Sequence, residues 1–162
     1  MFSKELTDLA AEVLDKARAA GIKIATAESC TGGLVAGCLT EVAGSSDVFE
    51  RGFVVYSNEA KSELLGVPAD LLVEHGAVST EVAEALARGV VAWSQAQLAV
   101  SITGIAGPGG GSPGKPVGLV HFGVLRTGQA PVLERHEFGD IGRSNVRMAS
   151  VQVALRLLLS QL

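Results

Sequence analysis

The stretch Ile22–Leu39 constrains the fold of this chain more than any other. It opens as a short β-prone run, Ile22–Ala27, and passes through the polar segment Thr26–Gly33, TAESCTGG. It continues as a small-residue helix, Thr31–Leu39. A strand that turns so tightly into a helix belongs to sheets whose strands alternate with covering helices. The rest of the chain keeps that alternation. Leu6, Leu9, Ala10, Val13, Leu14 and Ala17 recur at helical spacing over residues 3–20, and Gly21 ends the run. Phe49–Tyr56 reads as a second strand. Ser57 or Asn58 caps a short helix through Leu65, and Pro68–Glu74 forms another. A longer helix covers Thr80–Trp93, capped by Ser79 or Thr80. Leu98–Ile102 is a strongly apolar strand. Val117–Leu125 and Val132–Phe138 pair as a hairpin around Thr127–Gly128, and Ile141–Leu162 closes the chain as a helix.

The order αβαβαααβββα predicts an α/β fold, an open sheet covered by helices on both faces. The terminal hairpin makes that sheet mixed. With 162 residues and 48% hydrophobic composition, a single domain spanning 1–162 can bury a substantial core. Ligands of such sheets sit beyond the C-terminal ends of the parallel strands. Three polar or glycine-rich segments follow strands here, 28–33, 57–61 and 103–115, and together they form the candidate site.

Several function classes are disfavoured. Nucleic-acid binding by counterion release needs a basic face. The net charge is −4, no Lys/Arg cluster stands out, and aromatics make up only 4% of the chain, too few for a base-stacking platform. No apolar run approaches 18 residues, so no membrane partner is expected. The first 20 residues are amphipathic with mixed charge, unlike a signal peptide. Cys30 and Cys38 have neither a disulfide framework nor a zinc spacing, and they read as reduced thiols of a cytoplasmic protein.

The loop Thr103–Pro116 holds six glycines and three prolines. Gly109–Gly114 matches G-x-G-x-x-G in form, and Gly109–Lys115 nearly matches a P-loop. Both motifs require a helix immediately afterwards. Pro116 and a β-prone run follow instead, and Pro116 stands where the magnesium-binding hydroxyl would be. The segment therefore reads as a loop or lid. His75, His121 and His136 are scattered and fit strand-face or surface positions better than a metal site.

Ser29 sits on the strand-to-helix turn. The N–H groups of Cys30, Thr31, Gly32 and Gly33 have no partner inside the helix and can hold an anion or an oxyanion. From local sequence alone, Ser29 fits a nucleophile and a helix N-cap equally. A nucleophile needs a base. Lys61 lies in the second site segment, near the positive end of its helix, where the field favours a neutral amine. To serve it must fall from about 10.4 to roughly 7–8, which requires burial as well. A solvated surface lysine is the plainer alternative. Tyr56 can donate to Ser29 or Lys61. Cys30 is the rival nucleophile, with a thiol at a helix N-terminus. Arg143 and Arg147, four apart near the start of the last helix, suit either the surface or a phosphate. Trp93, Leu158 and Leu159 suit either the core or self-association.

The motifs TAESCTGG, GSSDVFERGFVVYSNEAK, HGAVS and SITGIAGPGGG followed by KPVG occur in that order over residues 5–160. In this the chain resembles the C-terminal domain of competence/damage-inducible CinA proteins and their stand-alone nicotinamide mononucleotide deamidases. The resemblance implies a three-layer α/β/α sandwich with a mixed, mostly parallel five-stranded sheet. It implies hydrolysis of nicotinamide mononucleotide to nicotinic acid mononucleotide and ammonia, in pyridine nucleotide salvage, with no metal and no cofactor. It further implies Ser29 as nucleophile, Lys61 as base and Tyr56 in support. The implied substrate-binding set is Thr31, Gly32, Gly33, Ser45, Thr103, Gly104, Gly107 and Arg143. Relatives often carry Ser where Thr103 stands, and either hydroxyl can donate. The implied partners are a small nucleotide and a second copy of the chain, as a homodimer. A non-catalytic nucleotide-binding module and a competence or DNA-damage partner protein remain as alternatives.

Overall fold

The computed structural model describes residues 2–162. Twelve elements follow in chain order: α1 (Lys4–Ala20), β1 (Ile24–Glu28), α2 (Leu34–Thr40), a 3₁₀ turn (Ser45–Asp47), β2 (Phe49–Val54), α3 (Asn58–Leu65), α4 (Ala69–His75), α5 (Thr80–Ala92), β3 (Leu98–Gly104), β4 (Leu119–Arg126), β5 (Val132–Glu137) and α6 (Arg143–Ser160). Local chemistry sets most of the boundaries. Ser3, Ser57 and Ser79 each accept an N–H of the first turn that follows, and Gly21 and Gly66 close α1 and α3 in the left-handed region.

The sheet order is β2-β1-β3-β4-β5. β1 pairs in parallel with β2 and β3, whereas β4 runs antiparallel to both its neighbours. Four strands therefore point one way and β4 alone opposes them. This is the expected three-layer α/β/α sandwich with a mixed five-stranded sheet.

Alternation along the strands builds two cores. Ile24, Leu98, Val100, Ile102, Val120, Phe122 and Val124 face α1, α2 and α6, meeting Val13, Leu14, Leu39, Val151, Leu155 and Leu158. Ala25, Ala27 and Ala99 face the other layer, meeting Leu65, Val82, Leu86 and Val90 of α3 and α5. The small residues on that second face let α5 approach the sheet closely. A Cβ on Gly123 would lie 2.8 Å from the Ala83 carbonyl, and Ser101 Oγ donates to that same carbonyl. Each fully buried Leu, Ile, Val or Phe contributes about 1.5–3 kcal/mol of transfer free energy. Leu158 is fully buried and Leu159 packs on the first core, whereas Trp93 is exposed. No helix among the described residues is long and apolar enough to cross a membrane.

Candidate active site

The parallel strands β1, β2 and β3 end at one level. Glu28 is registered with Val54 on one side and Ile102 on the other. From β1 the chain crosses to β2 through α2 on one face and to β3 through α3–α5 on the other. This divergence opens a crevice at the carboxyl ends. The crevice is a cleft of about 260 Å³, lined by Ser29 and Cys30, by Tyr56 and Lys61, by Ala77 and Val78, by residues 103–107, 109 and 110, and by Arg143. Its volume is at the lower edge of ordinary small-molecule pockets, ~300–1,000 Å³. None of the three histidines lines it.

Ser29 and Lys61, 32 residues apart, meet here. Lys61 Nζ lies 3.4 Å from Ser29 Oγ. The lysine is only 1% exposed. Its amine donates to the carbonyls of Val55 at 2.9 Å, Tyr56 at 3.2 Å and Ser57 at 3.3 Å, where β2 runs into α3. Burial pushes Lys61 below the ordinary lysine range, while Cys30 and Glu59 pull the other way. Lys61 is thus no solvated surface lysine.

The nucleophile turn departs from the sequence reading in an instructive way. The helix was expected from Thr31 and begins at Leu34, and Ser29 is not its cap. Glu28, the last residue of β1, caps it from below. Its Oε2 accepts from the N–H of Gly33 and Val35, both at 3.0 Å. Its Oε1 accepts from Ala36 N–H at 2.8 Å and from the Thr26 hydroxyl at 3.3 Å. Glu28 is completely buried. Sequence reasoning missed it as a site residue, although an acid at the inner end of an apolar strand is a costly placement that requires such donors.

The turn closes when Gly32 N–H donates to Ser29 O at 3.0 Å. Of the four N–H groups expected to hold an oxyanion, those of Gly32 and Gly33 are therefore occupied. Cys30 and Thr31 N–H keep no acceptor among the described residues, but Thr31 is fully buried and does not line the cleft, so of the four only Cys30 N–H belongs to a cleft-lining residue. Gly32 and Gly33 have φ of +60° and +95°, so they shape the turn and do not line the cleft. Thr31 is buried, and its Oγ1 is the one buried side-chain polar atom without a partner among the described residues.

Other expected residues divide in the same way. Thr103, Gly104, Gly107 and Arg143 line the cleft. The Thr103 hydroxyl donates to Ala77 O at 2.7 Å, so it faces a ligand as an acceptor and not as the expected donor. Arg143 Nη1 donates to Gly107 O at 3.0 Å. Arg147 is half-buried and does not line the cleft; it donates to the carbonyls of Cys30 and Thr31. Tyr56 lines the cleft with a side chain 63% exposed, and its main-chain carbonyl is what holds Lys61. Ser45 does not join the site. It precedes β2, whose start is registered with Ile24, at the opposite end of the sheet. Burial pushes the Cys30 thiol up to about 11, where a lowered value was expected, which disfavours it as the rival nucleophile although it lines the cleft.

Among the described residues no group of three or more His, Cys, Asp or Glu is placed to hold a metal ion.

A model of the CinA C-terminal domain matches residues 6–162. The chain is 46% identical over 161 residues to the nicotinamide-nucleotide amidohydrolase PncC of Escherichia coli, covering 99% of this chain and 97% of that one. It is 55% identical over 139 residues to a CinA-like protein of Mycolicibacterium vanbaalenii, covering 86% of this chain and 33% of the relative. The chain thus spans about a third of the length of the CinA-like relatives and nearly all of PncC. The crystal structure of competence/damage inducible protein CihA from Agrobacterium tumefaciens superposes with a TM-score of 0.97 at 46% identity, covering 99% of this chain and 97% of that one.

Proposed function

The chain belongs to the CinA C-terminal domain family, and from that premise we propose that it is a nicotinamide-nucleotide amidohydrolase working through a Ser29–Lys61 pair. Its substrate is nicotinamide mononucleotide and its products are nicotinic acid mononucleotide and ammonia, a salvage reaction of pyridine nucleotides. The observation that carries the chemistry is the buried amine 3.4 Å from Ser29 Oγ. Identity to PncC along the whole chain supports the choice of substrate.

The neutral amine of Lys61 has two N–H donors and one lone pair. In that form the longest of its three carbonyl bonds, to Ser57 at 3.3 Å, is given up, and Val55 and Tyr56 take the donors. The lone pair then faces the Ser29 hydroxyl and accepts its proton as Oγ attacks the carboxamide carbon. Negative charge develops on the carboxamide oxygen, where the N–H of Cys30 stabilises it. As the C–N bond breaks, protonated Lys61 returns the proton to the departing ammonia. Water then attacks the acyl ester, giving its proton to Lys61, which hands it back to Ser29 Oγ as the acid leaves. The net change is amide plus water to acid plus ammonia.

Thr103 Oγ1, an acceptor toward the cleft, takes an N–H of the carboxamide and offers nothing to the carboxylate product. Arg143 keeps further N–H donors free beyond its bond to Gly107 and supplies the positive charge for the substrate phosphate. Tyr56 lines the cleft in support of the pair. A cytoplasmic, homodimeric protein belongs to the same proposal, in keeping with two buried free thiols at Cys30 and Cys38. The test is ammonia release from nicotinamide mononucleotide. Ser29→Ala abolishes it with the fold intact, while Cys30→Ala retains it. The reverse pattern would move the nucleophile to the thiol.

A further inference from the structure

Arg147 sits one helical turn into α6, 117 residues from the segment it touches. Its Nε donates to Cys30 O at 3.1 Å and its Nη2 to Thr31 O at 2.9 Å. These are the two central carbonyls of the turn that Gly32 N–H closes on Ser29 O. The guanidinium also packs over Gly32, where an added Cβ would lie 3.4 Å from Nη2. A planar guanidinium gripping two successive carbonyls fixes two peptide planes at once.

In a trans peptide the N–H points opposite to the C=O. Holding Cys30 O toward α6 therefore turns Thr31 N–H to the other side. Holding Thr31 O turns Gly32 N–H back toward Ser29 O, where it closes the turn. Glu28 works from the opposite side of the same segment, taking the N–H groups of Gly33, Val35 and Ala36. Between them the two charged side chains absorb the surplus acceptors and donors of the turn and leave the N–H of Cys30, which lines the cleft, unclaimed.

We propose that Arg147 is the positioning residue of the oxyanion hole: by gripping the carbonyls of Cys30 and Thr31 it fixes the shape of the turn that carries Ser29 and the cleft-lining Cys30, and so holds Cys30 N–H in place for the carbonyl attacked by Ser29. The proposal rests on Ser29 being the nucleophile and is independent of which amide is the substrate. Arg147 touches no reacting atom. It does not line the cleft, and its positive charge adds to the field that favours the oxyanion.

The test uses the full chain and the variants Arg147→Lys and Arg147→Gln. The first readout is the rate at which a fluorophosphonate modifies Ser29, followed by mass spectrometry, because that reaction needs nucleophile and oxyanion hole but not the natural substrate. Losing an oxyanion donor outright costs ~10²–10³-fold, so a displaced turn slows labelling about tenfold or more in Arg147→Gln. Arg147→Lys is expected between the variant and the wild type, and millimolar guanidinium is expected to restore part of the loss in Arg147→Gln. The second readout is the affinity of nicotinamide mononucleotide for Ser29→Ala with and without Arg147→Gln, expected to agree within about twofold. Thermal unfolding confirms that each variant is folded. Labelling of folded Arg147→Gln at the wild-type rate overturns the proposal. So does a loss of nucleotide affinity as large as the loss of rate, which would make Arg147 a phosphate ligand. Slowed labelling in a protein that releases no ammonia from nicotinamide mononucleotide would sink the substrate and leave the oxyanion-hole assignment standing. A wild type whose Ser29 is never labelled would overturn both.

Discussion

Replacing Lys61 by methionine removes the amine and keeps an unbranched side chain of similar length in a place that is 1% exposed. A positioned general base contributes ~10²–10⁴-fold, or about 2.7–5.4 kcal/mol of barrier, and kcat for ammonia release falls by that factor. The stability consequence carries a separate signature. The carbonyls of Val55 and Tyr56 lose their Lys61 partner, at a cost of ~1–3 kcal/mol each, while Ser57 O keeps the Lys61 main-chain N–H. Against this, the fold no longer buries an ionisable amine, a burden of several kcal/mol when charged. The sign with pH follows from the depressed value of Lys61 in the fold. Below that value both folded and unfolded chains hold the proton, and the wild type bears the whole penalty. Between it and about 10.4 only the unfolded chain holds the proton, so wild-type stability rises with pH by up to ~1.4 kcal/mol per unit. Above about 10.4 the penalty is gone. Urea unfolding of both proteins from about pH 6 to 10, with ammonia-release rates over the same range, gives both signatures. The stability of the wild type minus that of Lys61→Met is expected to climb with pH, and wild-type kcat/KM is expected to rise through the folded-state value of the amine. A variant retaining kcat within tenfold, or a flat stability difference, would refute the reading of Lys61 as a buried neutral base.

Two more outcomes follow from the turn around Ser29. Cys30→Ala keeps kcat within about threefold, and iodoacetamide labels the folded wild-type thiol only as pH approaches the value of about 11 that burial imposes. Rapid labelling at neutral pH would contradict that environment. Glu28→Gln leaves one oxygen and an NH₂ group facing three backbone N–H donors and a hydroxyl. It costs about 2–4 kcal/mol in chemical unfolding and lowers kcat more than it raises KM. An unchanged unfolding midpoint would mean that water or a shifted backbone replaces the lost acceptor.

Much of the fold was legible residue by residue. The 3.6 spacing of Leu6, Ala10, Val13, Leu14 and Ala17 became the buried face of α1, and the strongly apolar run Leu98–Ile102 became a strand covered on both faces. Of the two candidate caps at each helix, Ser57 rather than Asn58 caps α3 and Ser79 rather than Thr80 caps α5. The limits are equally specific. The start of α2 was misplaced by three residues because its cap is Glu28, which reaches it from the preceding strand, and no nearest-neighbour pattern signals such a cap. Thr103 was assigned as a donor, yet its proton goes to Ala77, 26 residues earlier in the chain. Ser45, in the motif GSSDVFERG, was grouped with the site. The start of β2 places it at the far end of the sheet.

By itself the sequence determined which segments are helices and strands, that they cover a mixed sheet on both faces, and that polar turns gather where parallel strands end. These properties depend on side-chain periodicity and on capping chemistry acting within a few residues. Only the tertiary structure decided which polar residues meet. β1–β2 pairing brings Lys61 beside Ser29, the docking of α6 carries Arg147 to the turn, and burial moves Lys61 and Cys30 in opposite directions, one amine down and one thiol up. Distances and dielectric surroundings of this kind are set by contacts across more than thirty residues of chain.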